Sequence, residues 1–239
     1  MITRAVLLAA GRGTRLGALT AAMPKPLLEV GGRPVILRIL EGLAAAGIRE
    51  AVIVTGYLGE VLQRRIEEAA PHGLRVAFRR QETLDGTARA LALARDFLGE
   101  DPFFFGWGDI VVRPENYAAV LRAATDGVAA VLAVNEVDDP AGGAAVYVDD
   151  AFRVQRIVEK PAPGTSATRW NNAGFGVLTS RIWPAIDTLK PSPRGEYELP
   201  QAVGSLVEAG EKVVAVPVEG PWFDIGTPED LEAARRSFA

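Results

Sequence analysis

The chain has 239 residues, of which 49% are hydrophobic and 23% charged, and its formal net charge is −4. This length suffices for one large α/β domain or two small ones, and the negative charge disfavours nonspecific binding to nucleic acid or to an anionic membrane. The lack of cysteine excludes disulfides and thiolate metal sites, and a single histidine, His72, argues against multi-histidine zinc sites and serine–histidine catalysis. Because the chain has no signal-peptide pattern and no apolar run of about 18 residues, we expect a cytoplasmic protein that does not bind membranes.

Strand-like and helix-like patterns alternate from the N-terminus. Apolar runs predict strands over 4–9, 51–55, 74–78, 102–107 and 128–134. Helical spacing of apolar residues predicts helices over 34–46, 58–70, 87–98 and 114–124. This alternation predicts an α/β fold in which helices cover both faces of a mostly parallel sheet and ligands bind at the carboxyl ends of its strands.

The pattern changes in the second half of the chain. It predicts strands over 144–148, 152–158 and 174–179, helices over 180–189 and 198–209, a strand over 212–217 and a helix over 228–238. The three short strands predict an antiparallel extension folded over the first half. The last helix is predicted to begin with Thr227 as its N-cap and Asp230 at the third helical position. Since no linker or repeat divides the sequence, we predict a single domain over residues 1–239.

A glycine-rich loop follows the first strand. Glycines at positions 11, 13 and 17 allow backbone N–H groups to converge on an anion, and three positive side chains lie within reach: Arg12, Arg15 and Lys25. The dinucleotide fingerprint needs a third glycine where this chain has Leu16, and a P-loop needs Gly-Lys where it has Thr14-Arg15. The loop therefore predicts a triphosphate site that belongs to neither of these two common classes.

Several groups of residues follow one another in the order of a known family. They are Leu8-Ala9-Ala10-Gly11-x-Gly13-Thr14-Arg15-Leu16, Pro24-Lys25-Pro26-Leu27-Leu28, Gln81-x4-Gly86-Thr87-Ala88, Gly108-Asp109, Glu159-Lys160-Pro161, Asn172-Ala173-Gly174 and Trp222-Phe223-Asp224-Ile225-Gly226-Thr227-Pro228. Together they resemble the sugar-1-phosphate nucleotidyltransferases, also called nucleoside-diphosphate-sugar pyrophosphorylases. The resemblance implies a Rossmann-like three-layer αβα sandwich with a mixed, mostly parallel central sheet. It also implies an enzyme that makes an NDP-sugar and pyrophosphate from an NTP and a sugar 1-phosphate.

The resemblance also implies a role for individual residues. The nucleotide site would contain Leu8, Ala10, Gly11, Gly13, Thr14, Arg15, Gln81, Gly86 and Thr87. The sugar-phosphate site would contain Lys25, Gly143, Glu159, Lys160 and Asn172. The catalytic residues would be Arg15, Lys25, Asp109 and Asp224, and the two aspartates would hold the implied cofactor, Mg²⁺. On this basis residues 1–135 form the nucleotide-binding part, and residues 136–239 form the sugar-binding part with the C-terminal helices.

Gln81 bears on the choice of base. A glutamine amide has both a donor and an acceptor, so it can pair with the N3–H and O4 edge of uracil or thymine, and UTP or dTTP is the expected nucleotide. The alternatives are a relative that uses CTP or GTP, a relative with a phosphocholine-type acceptor, and a noncatalytic sugar-nucleotide sensor. Assembly into a homo-oligomer is left open.

Some of these residues also have a plain structural interpretation. Taken alone, Arg15 and Lys25 are typical of solvated loop charges, and Gln81 of an exposed loop residue. Glu196 matches a family segment near the sugar, but it is equally consistent with a carboxylate at a helix start. Trp107 stands directly before Gly108-Asp109, where the family carries a small polar residue, so we expect a reshaped pocket floor.

Overall fold

The alternating elements build a nine-stranded mixed sheet with helices on both faces, in a computed structural model that describes residues 1–239. The strands are β1 (Arg4–Ala9), β2 (Glu29–Val30), β3 (Arg33–Pro34), β4 (Glu50–Thr55), β5 (Arg75–Arg80), β6 (Phe103–Trp107), β7 (Ile110–Val112), β8 (Val128–Glu136), β9 (Ala144–Val148), β10 (Val154–Glu159), β11 (Trp170–Leu178), β12 (Lys212–Pro217) and β13 (Trp222–Asp224). The helices are α1 (Val35–Ala45), α2 (Gly59–Ala69), α3 (Thr87–Ala92), α4 (Arg95–Leu98), α5 (Glu115–Ala123), α6 (Ile182–Thr188), α7 (Leu199–Glu208) and α8 (Pro228–Ser237). Short 3₁₀ segments lie at Thr14–Thr20, Lys25–Leu27 and Pro140–Gly142.

The N-terminal strands form the parallel part of the sheet. β1 lies between β4 and β6 and is parallel to both, and β5 is parallel to β4 on its far side. Residues 5–9 are all buried, as expected for an apolar strand that is covered on both faces. The carboxyl ends of β1 and β6 open at the same edge, so the loops that follow them meet there.

The second half of the chain continues this sheet, whereas the sequence predicted an extension folded over the first half. β11 is antiparallel to both β6 and β8, β9 and β10 form an antiparallel pair, and β12 is parallel to β8. The antiparallel strands are thus present, but β11 begins before the predicted start at residue 174 and lies inside the sheet. Its residues 173–178 are buried without alternation, which is typical of an interior strand.

Each face of the sheet buries its own apolar cluster. Phe104 belongs to one cluster, where its ring meets Tyr117 edge-on at a centroid distance of 5.7 Å. Phe103 and Phe105 belong to the other, where Phe103 stacks on Trp183 at 5.4 Å. Successive side chains of β6 thus point to opposite faces, which gives the predicted three layers. None of the helices combines the length and the apolar character needed to cross a membrane.

Two short strands that the sequence did not predict help to build the site. β7 and β13 form an antiparallel pair outside the main sheet, and Asp224 stands opposite Ile110 in it. Ile225 donates its N–H to the carbonyl of Asp109 at 3.1 Å. Asp109 and Asp224, far apart in sequence, are therefore neighbours.

Helix ends follow the predictions except within 87–98. That segment forms α3 and α4, because Leu93 and Ala94 donate to carbonyls three residues back, at 3.3 and 2.9 Å, which tightens the chain and ends α3. The predicted cap of α8 is confirmed. Thr227 Oγ1 accepts from the Asp230 N–H at 3.2 Å, and the Asp230 carboxylate accepts from the Thr227 N–H at 2.8 Å.

Candidate active site

Two adjoining cavities open at the carboxyl ends of β1 and β6. The smaller has a volume of about 210 Å³ and the larger about 530 Å³, and their common wall contains Thr87, Trp107, Asp109 and Glu196. The predicted site residues that line the smaller cavity are Leu8, Ala10, Gly11, Lys25, Gln81, Gly86, Thr87 and Asp109. Those that line the larger cavity are Arg15, Thr87, Asp109, Gly143, Glu159, Lys160, Asn172 and Asp224. Gly13 and Thr14 line neither cavity and belong to the loop beside them.

The loop after β1 presents backbone N–H groups that have no acceptor in the protein. None of the N–H groups of residues 11–15 donates a hydrogen bond. Gly13 has a left-handed backbone with φ of +64°, and a Cβ added to it would lie 3.2 Å from the Cβ of Lys25. Thr20 stabilises this turn, because its Oγ1 donates to the Gly13 carbonyl at 3.0 Å. A run of free N–H groups beside a lysine suits an anion with several oxygens, such as a polyphosphate.

Lys25 lies between two carboxylates. Its Nζ is 2.6 Å from Asp109 Oδ2 and 3.3 Å from Asp224 Oδ1, and only 11% of its side chain is exposed. Burial alone would lower the pKa of Lys25, but the charges of Asp109 and Asp224 outweigh burial and raise that pKa above its usual value. Lys25 is therefore a fixed cation of the site and not a solvated loop charge.

Asp109 and Asp224 direct carboxylate oxygens at one position, which Lys25 Nζ occupies. Burial and the negative charge of Asp109 raise the pKa of Asp224, while Lys25 acts in the opposite direction. Paired carboxylate oxygens are ligands that suit Mg²⁺. Since no group of three or more His, Cys, Asp or Glu side chains forms here, the other ligands would be water or substrate oxygens. Asp109 Oδ1 and Asp224 Oδ2 have no partner in the protein, so these second oxygens fit the predicted magnesium while Lys25 keeps its two ion pairs.

Arg15 extends toward the segment that carries Asp224. Its guanidinium lies against Gly226, where an added Cβ would come within 2.8 Å of Nη2, so a side chain at 226 would displace it. The positive charge of Arg15 acts to lower the pKa of Asp224. Arg15 thus lines the larger cavity and joins the cluster around Asp224.

Gln81 is buried in the wall of the smaller cavity and is not the exposed loop residue that it suggests when taken alone. Its Nε2 donates to Asp85 Oδ1 and to the Gly86 carbonyl, both at 3.1 Å. Because these two bonds use both amide N–H groups, only the acceptor Oε1 remains for a ligand. This differs from the prediction that Gln81 offers a donor and an acceptor to one base.

Gly86 allows the Gln81 segment to pack directly on the chain before α7. Its φ is +122°, and an added Cβ would lie 2.4 Å from the Tyr197 carbonyl oxygen, so a larger residue does not fit. The Tyr197 N–H donates to the Asp85 carbonyl at 2.8 Å, and Thr87 Oγ1 accepts from the Leu199 N–H at 2.8 Å. These bonds connect the wall of the smaller cavity to α7.

Glu159 and Lys160 lie together in the larger cavity, as the resemblance implied. The Glu159 side chain is 11% exposed, and its Oε1 is 3.5 Å from Arg194 Nη2 and 4.0 Å from Lys160 Nζ. Burial and the neighbouring charge of Glu198 raise the pKa of Glu159 to about 7, although Lys160 and Arg194 act to lower it. The Glu159 carboxyl therefore titrates near neutral pH.

Gly143 and Asn172 form part of the same wall. Gly143 accepts from the Lys160 N–H at 2.7 Å, and an added Cβ would lie 2.2 Å from Asn171 Oδ1. Asn172 Oδ1 accepts from the Gly174 N–H at 3.1 Å, so its Nδ2 is the group that it can offer to a ligand. Asn171 also lines this cavity but was not predicted, although its place beside Asn172 was a usable signal.

Four further residues of the site were missed or left open by the sequence. Arg194 bonds to Glu198, and both lie beside Glu159. Glu198 is the N-cap of α7, so Glu196 lies before the helix. Glu196 lines both cavities.

The Trp107 indole packs over Gly174, where an added Cβ would lie 2.7 Å from the ring, and it forms the floor between the two cavities. Two of the four carried a sequence signal: Trp107 departs from the family pattern, and Glu196 matches a family segment near the sugar.

Comparison with known proteins identifies a matching family. A family model described as "Nucleotidyl transferase" matches residues 4–239. The chain is 33% identical over 235 residues to the UTP–glucose-1-phosphate uridylyltransferase AglF of Haloferax volcanii, covering 98% of this chain and 95% of AglF. It is 31% identical over 236 residues to a glucose-1-phosphate thymidylyltransferase of Streptomyces antibioticus, covering 98% of this chain and 65% of that protein.

A solved structure has the same fold. A UDP-glucose pyrophosphorylase in complex with UDP-glucose superimposes with a TM-score of 0.87 at 20% identity, covering 100% of this chain and 98% of that one. The chain spans nearly the full length of AglF but about two thirds of the Streptomyces protein.

Proposed function

The chain belongs to the nucleotidyl transferase family, and on this premise we propose that it transfers a nucleotidyl group from an NTP to a sugar 1-phosphate. An oxygen of the sugar phosphate forms a bond to the α-phosphorus of the NTP. The bond from the α-phosphorus to the bridging oxygen breaks, and its electron pair leaves with pyrophosphate. The products are an NDP-sugar and pyrophosphate.

The observation that carries this proposal is the run of unpaired N–H groups at residues 11–15 beside the Lys25–Asp109–Asp224 cluster. The N–H groups would bind the β- and γ-phosphates, and Arg15 would neutralise the departing pyrophosphate. Transfer of this kind depends on positioning and charge neutralisation, which is what these groups supply.

Lys25 would contact both the α-phosphate and the sugar phosphate during attack. Its raised pKa keeps it protonated, so it offsets the negative charge of two approaching phosphates. Asp109 and Asp224 hold the ammonium in place and would also hold Mg²⁺, which when bound neutralises phosphate oxygens.

The sugar would occupy the larger cavity. Glu159 would accept hydrogen bonds from sugar hydroxyls, Lys160 would lie near the sugar phosphate, and Asn172 Nδ2 would donate to the sugar. We propose that residues 1–135 mainly bind the nucleotide and residues 136–239 the sugar. The smaller cavity is lined by residues between 8 and 109 and by Glu196, and most residues that line the larger cavity lie between 137 and 230, which supports this division. The first part also contributes to the larger cavity, through Arg15, Thr87, Trp107, Asp109 and Ile110.

UTP or dTTP is the proposed nucleotide. Gln81 Oε1 is an acceptor in the wall of the smaller cavity, and the N3–H of uracil or thymine is a matching donor. AglF is named for UTP and the Streptomyces relative for thymidylyl transfer, so the names of both relatives agree with a base of this kind.

Turnover over a small matrix of NTPs and sugar 1-phosphates, read out as pyrophosphate release, tests the proposal. We expect UTP or dTTP with a hexose 1-phosphate to be used at least about tenfold better than CTP. Asp109→Asn should lower kcat by about 100-fold or more, while Asp150→Asn, at an exposed turn, should not change it. The proposal would be overturned if none of the NTPs in the matrix gave pyrophosphate, or if Asp109→Asn kept full activity.

A further inference from the structure

Asp85 holds the side-chain amide of Gln81 in one orientation. The two donor groups of Gln81 Nε2 are bonded to Asp85 Oδ1 and to the Gly86 carbonyl. Gln81 Oε1 accepts no hydrogen bond in the protein. The inaccessible side-chain oxygens that lack a partner are those of Asn171 and Gln201, so Gln81 Oε1 is accessible, and Gln81 lines the smaller cavity. Gln81 therefore presents an acceptor to a ligand in this cavity.

The opposite orientation of the amide is strongly disfavoured. It would place Oε1 against a carboxylate oxygen and a carbonyl oxygen, neither of which can donate a hydrogen bond. The bond to the Asp85 carboxylate is charge-assisted and is stronger than a bond between neutral groups. With a neutral residue at 85, only the Gly86 carbonyl would oppose inversion of the amide.

A fixed acceptor distinguishes between bases. Uracil, thymine and guanine carry a ring N–H on their pairing edge, whereas cytosine and adenine carry a ring nitrogen with a lone pair there. The N–H of Gly86 has no acceptor in the protein, so it can donate to a base carbonyl next to the ring N–H. The acceptor at Gln81 matches the ring N–H of uracil and opposes the lone pair of the cytosine ring nitrogen, and Gly86 offers an unpaired N–H in the wall of the same cavity.

We propose that Asp85 is a positioning residue that sets base choice by locking Gln81 as an acceptor. The inference rests on the proposed function, because it assigns the smaller cavity to the base of the NTP. Asp85 lines neither cavity, so it acts through the Gln81 amide and not by contact with the nucleotide. Loss of the lock lets the amide invert, so discrimination against cytosine weakens more than the binding of uracil does.

Asp85→Asn is the informative change, because it keeps the size of the side chain while allowing the two amides to invert together. We expect the ratio of kcat/KM for UTP over CTP to fall by about tenfold, mainly through KM. Asp85→Ser, which removes the charge in a smaller side chain, should lower the ratio in the same direction. Glu82→Gln, at the exposed neighbouring acid, should leave the ratio unchanged.

A merely structural role of Asp85 would lower activity with every nucleotide and leave the UTP to CTP ratio as it is. An unchanged ratio in both Asp85 variants, with native far-ultraviolet circular dichroism, would overturn the inference. The ratio of dissociation constants for UDP and CDP, measured by calorimetry, gives the same test without turnover. A third outcome separates the two proposals. If wild type shows no turnover but binds UDP more tightly than CDP, and Asp85→Asn loses this preference, the result would count against the proposed function and still support the role of Asp85.

Discussion

Lys25 is a cation whose compact shape suits its place. The chain has 26 positive side chains and only four are lysines. Nζ of Lys25 lies between the Asp109 and Asp224 carboxylates in a setting that is largely closed to solvent. A planar guanidinium is larger and spreads its charge over a fork, so it cannot occupy the same point between the two oxygens.

We predict that Lys25→Arg, although it keeps the charge, lowers kcat by about 100-fold while the KM for NTP changes little. Steady-state pyrophosphate release checks this, with Lys190→Arg, at an exposed position, as the matched control. Wild-type turnover in Lys25→Arg would mean that charge alone matters at this position.

Glu159 gives the protein a pH-dependent stability with a defined sign. Burial and Glu198 raise its pKa to about 7 in the folded chain, against 4.5 as the usual value. The folded state therefore keeps a proton that the unfolded state loses, so this group lowers the free energy of unfolding as pH rises from about 4.5 to about 7. Below that range both states are protonated and the effect disappears.

Glu159→Gln removes this titration. We expect the melting temperature of the variant relative to wild type to increase between about pH 5 and about pH 8. Differential scanning calorimetry measures it, and Glu100→Gln, at an exposed position, should show no such trend. A difference between Glu159→Gln and wild type that stays constant over this range would contradict the raised pKa.

At this scale the sequence predicts which residues matter better than how they act. The resemblance to the family singles out Lys25, Asp109 and Asp224, although Lys25 taken alone is typical of a solvated loop charge. The orientation of the Gln81 amide depends on Asp85 and on the Gly86 carbonyl, and no propensity of Gln81 contains that information. The raised pKa of Glu159 likewise depends on its burial and on the neighbouring charge of Glu198, a residue that was not predicted.

Among the elements, the pair of β7 and β13 does most to assemble the site. It is two short strands outside the main sheet, and it places Asp224 opposite Ile110 and beside Asp109. Segments of three residues are too short for a periodic pattern, so the sequence predicts the long strands and not this pair. α8 follows directly and begins at the Thr227 cap.

Thr227→Ala should destabilise the protein by about 1 kcal/mol, because it removes the acceptor for the Asp230 N–H and half of a reciprocal cap. Urea unfolding measures the change, and Thr125→Ala, at an exposed turn, should stay within about 0.5 kcal/mol of wild type. Equal unfolding free energies for the two variants would show that the cap contributes nothing.

The whole molecule is organised around one nine-stranded sheet, and the cavities lie at the edge where β1 and β6 end. The alternation of strands and helices predicts the parallel part of the sheet well, because a continuous apolar run indicates a strand that is buried on both faces. The sequence predicts an antiparallel strand over 174–179, but it does not predict that β11 lies inside the main sheet between β6 and β8, because periodicity reports the burial of a strand and not its neighbours. The site is therefore built from both halves of the chain, which suits the proposed nucleotidyl transfer to a sugar phosphate.

The most direct test follows the fate of two labels in UTP, one at the α-phosphate and one at the γ-phosphate, with glucose 1-phosphate and Mg²⁺ present. We expect the α-label in the UDP-sugar and the γ-label in pyrophosphate, with both transfers reduced together in Lys25→Met. Appearance of the γ-label in orthophosphate or in a phosphorylated sugar, with no α-label in a sugar nucleotide, would contradict nucleotidyl transfer by this protein.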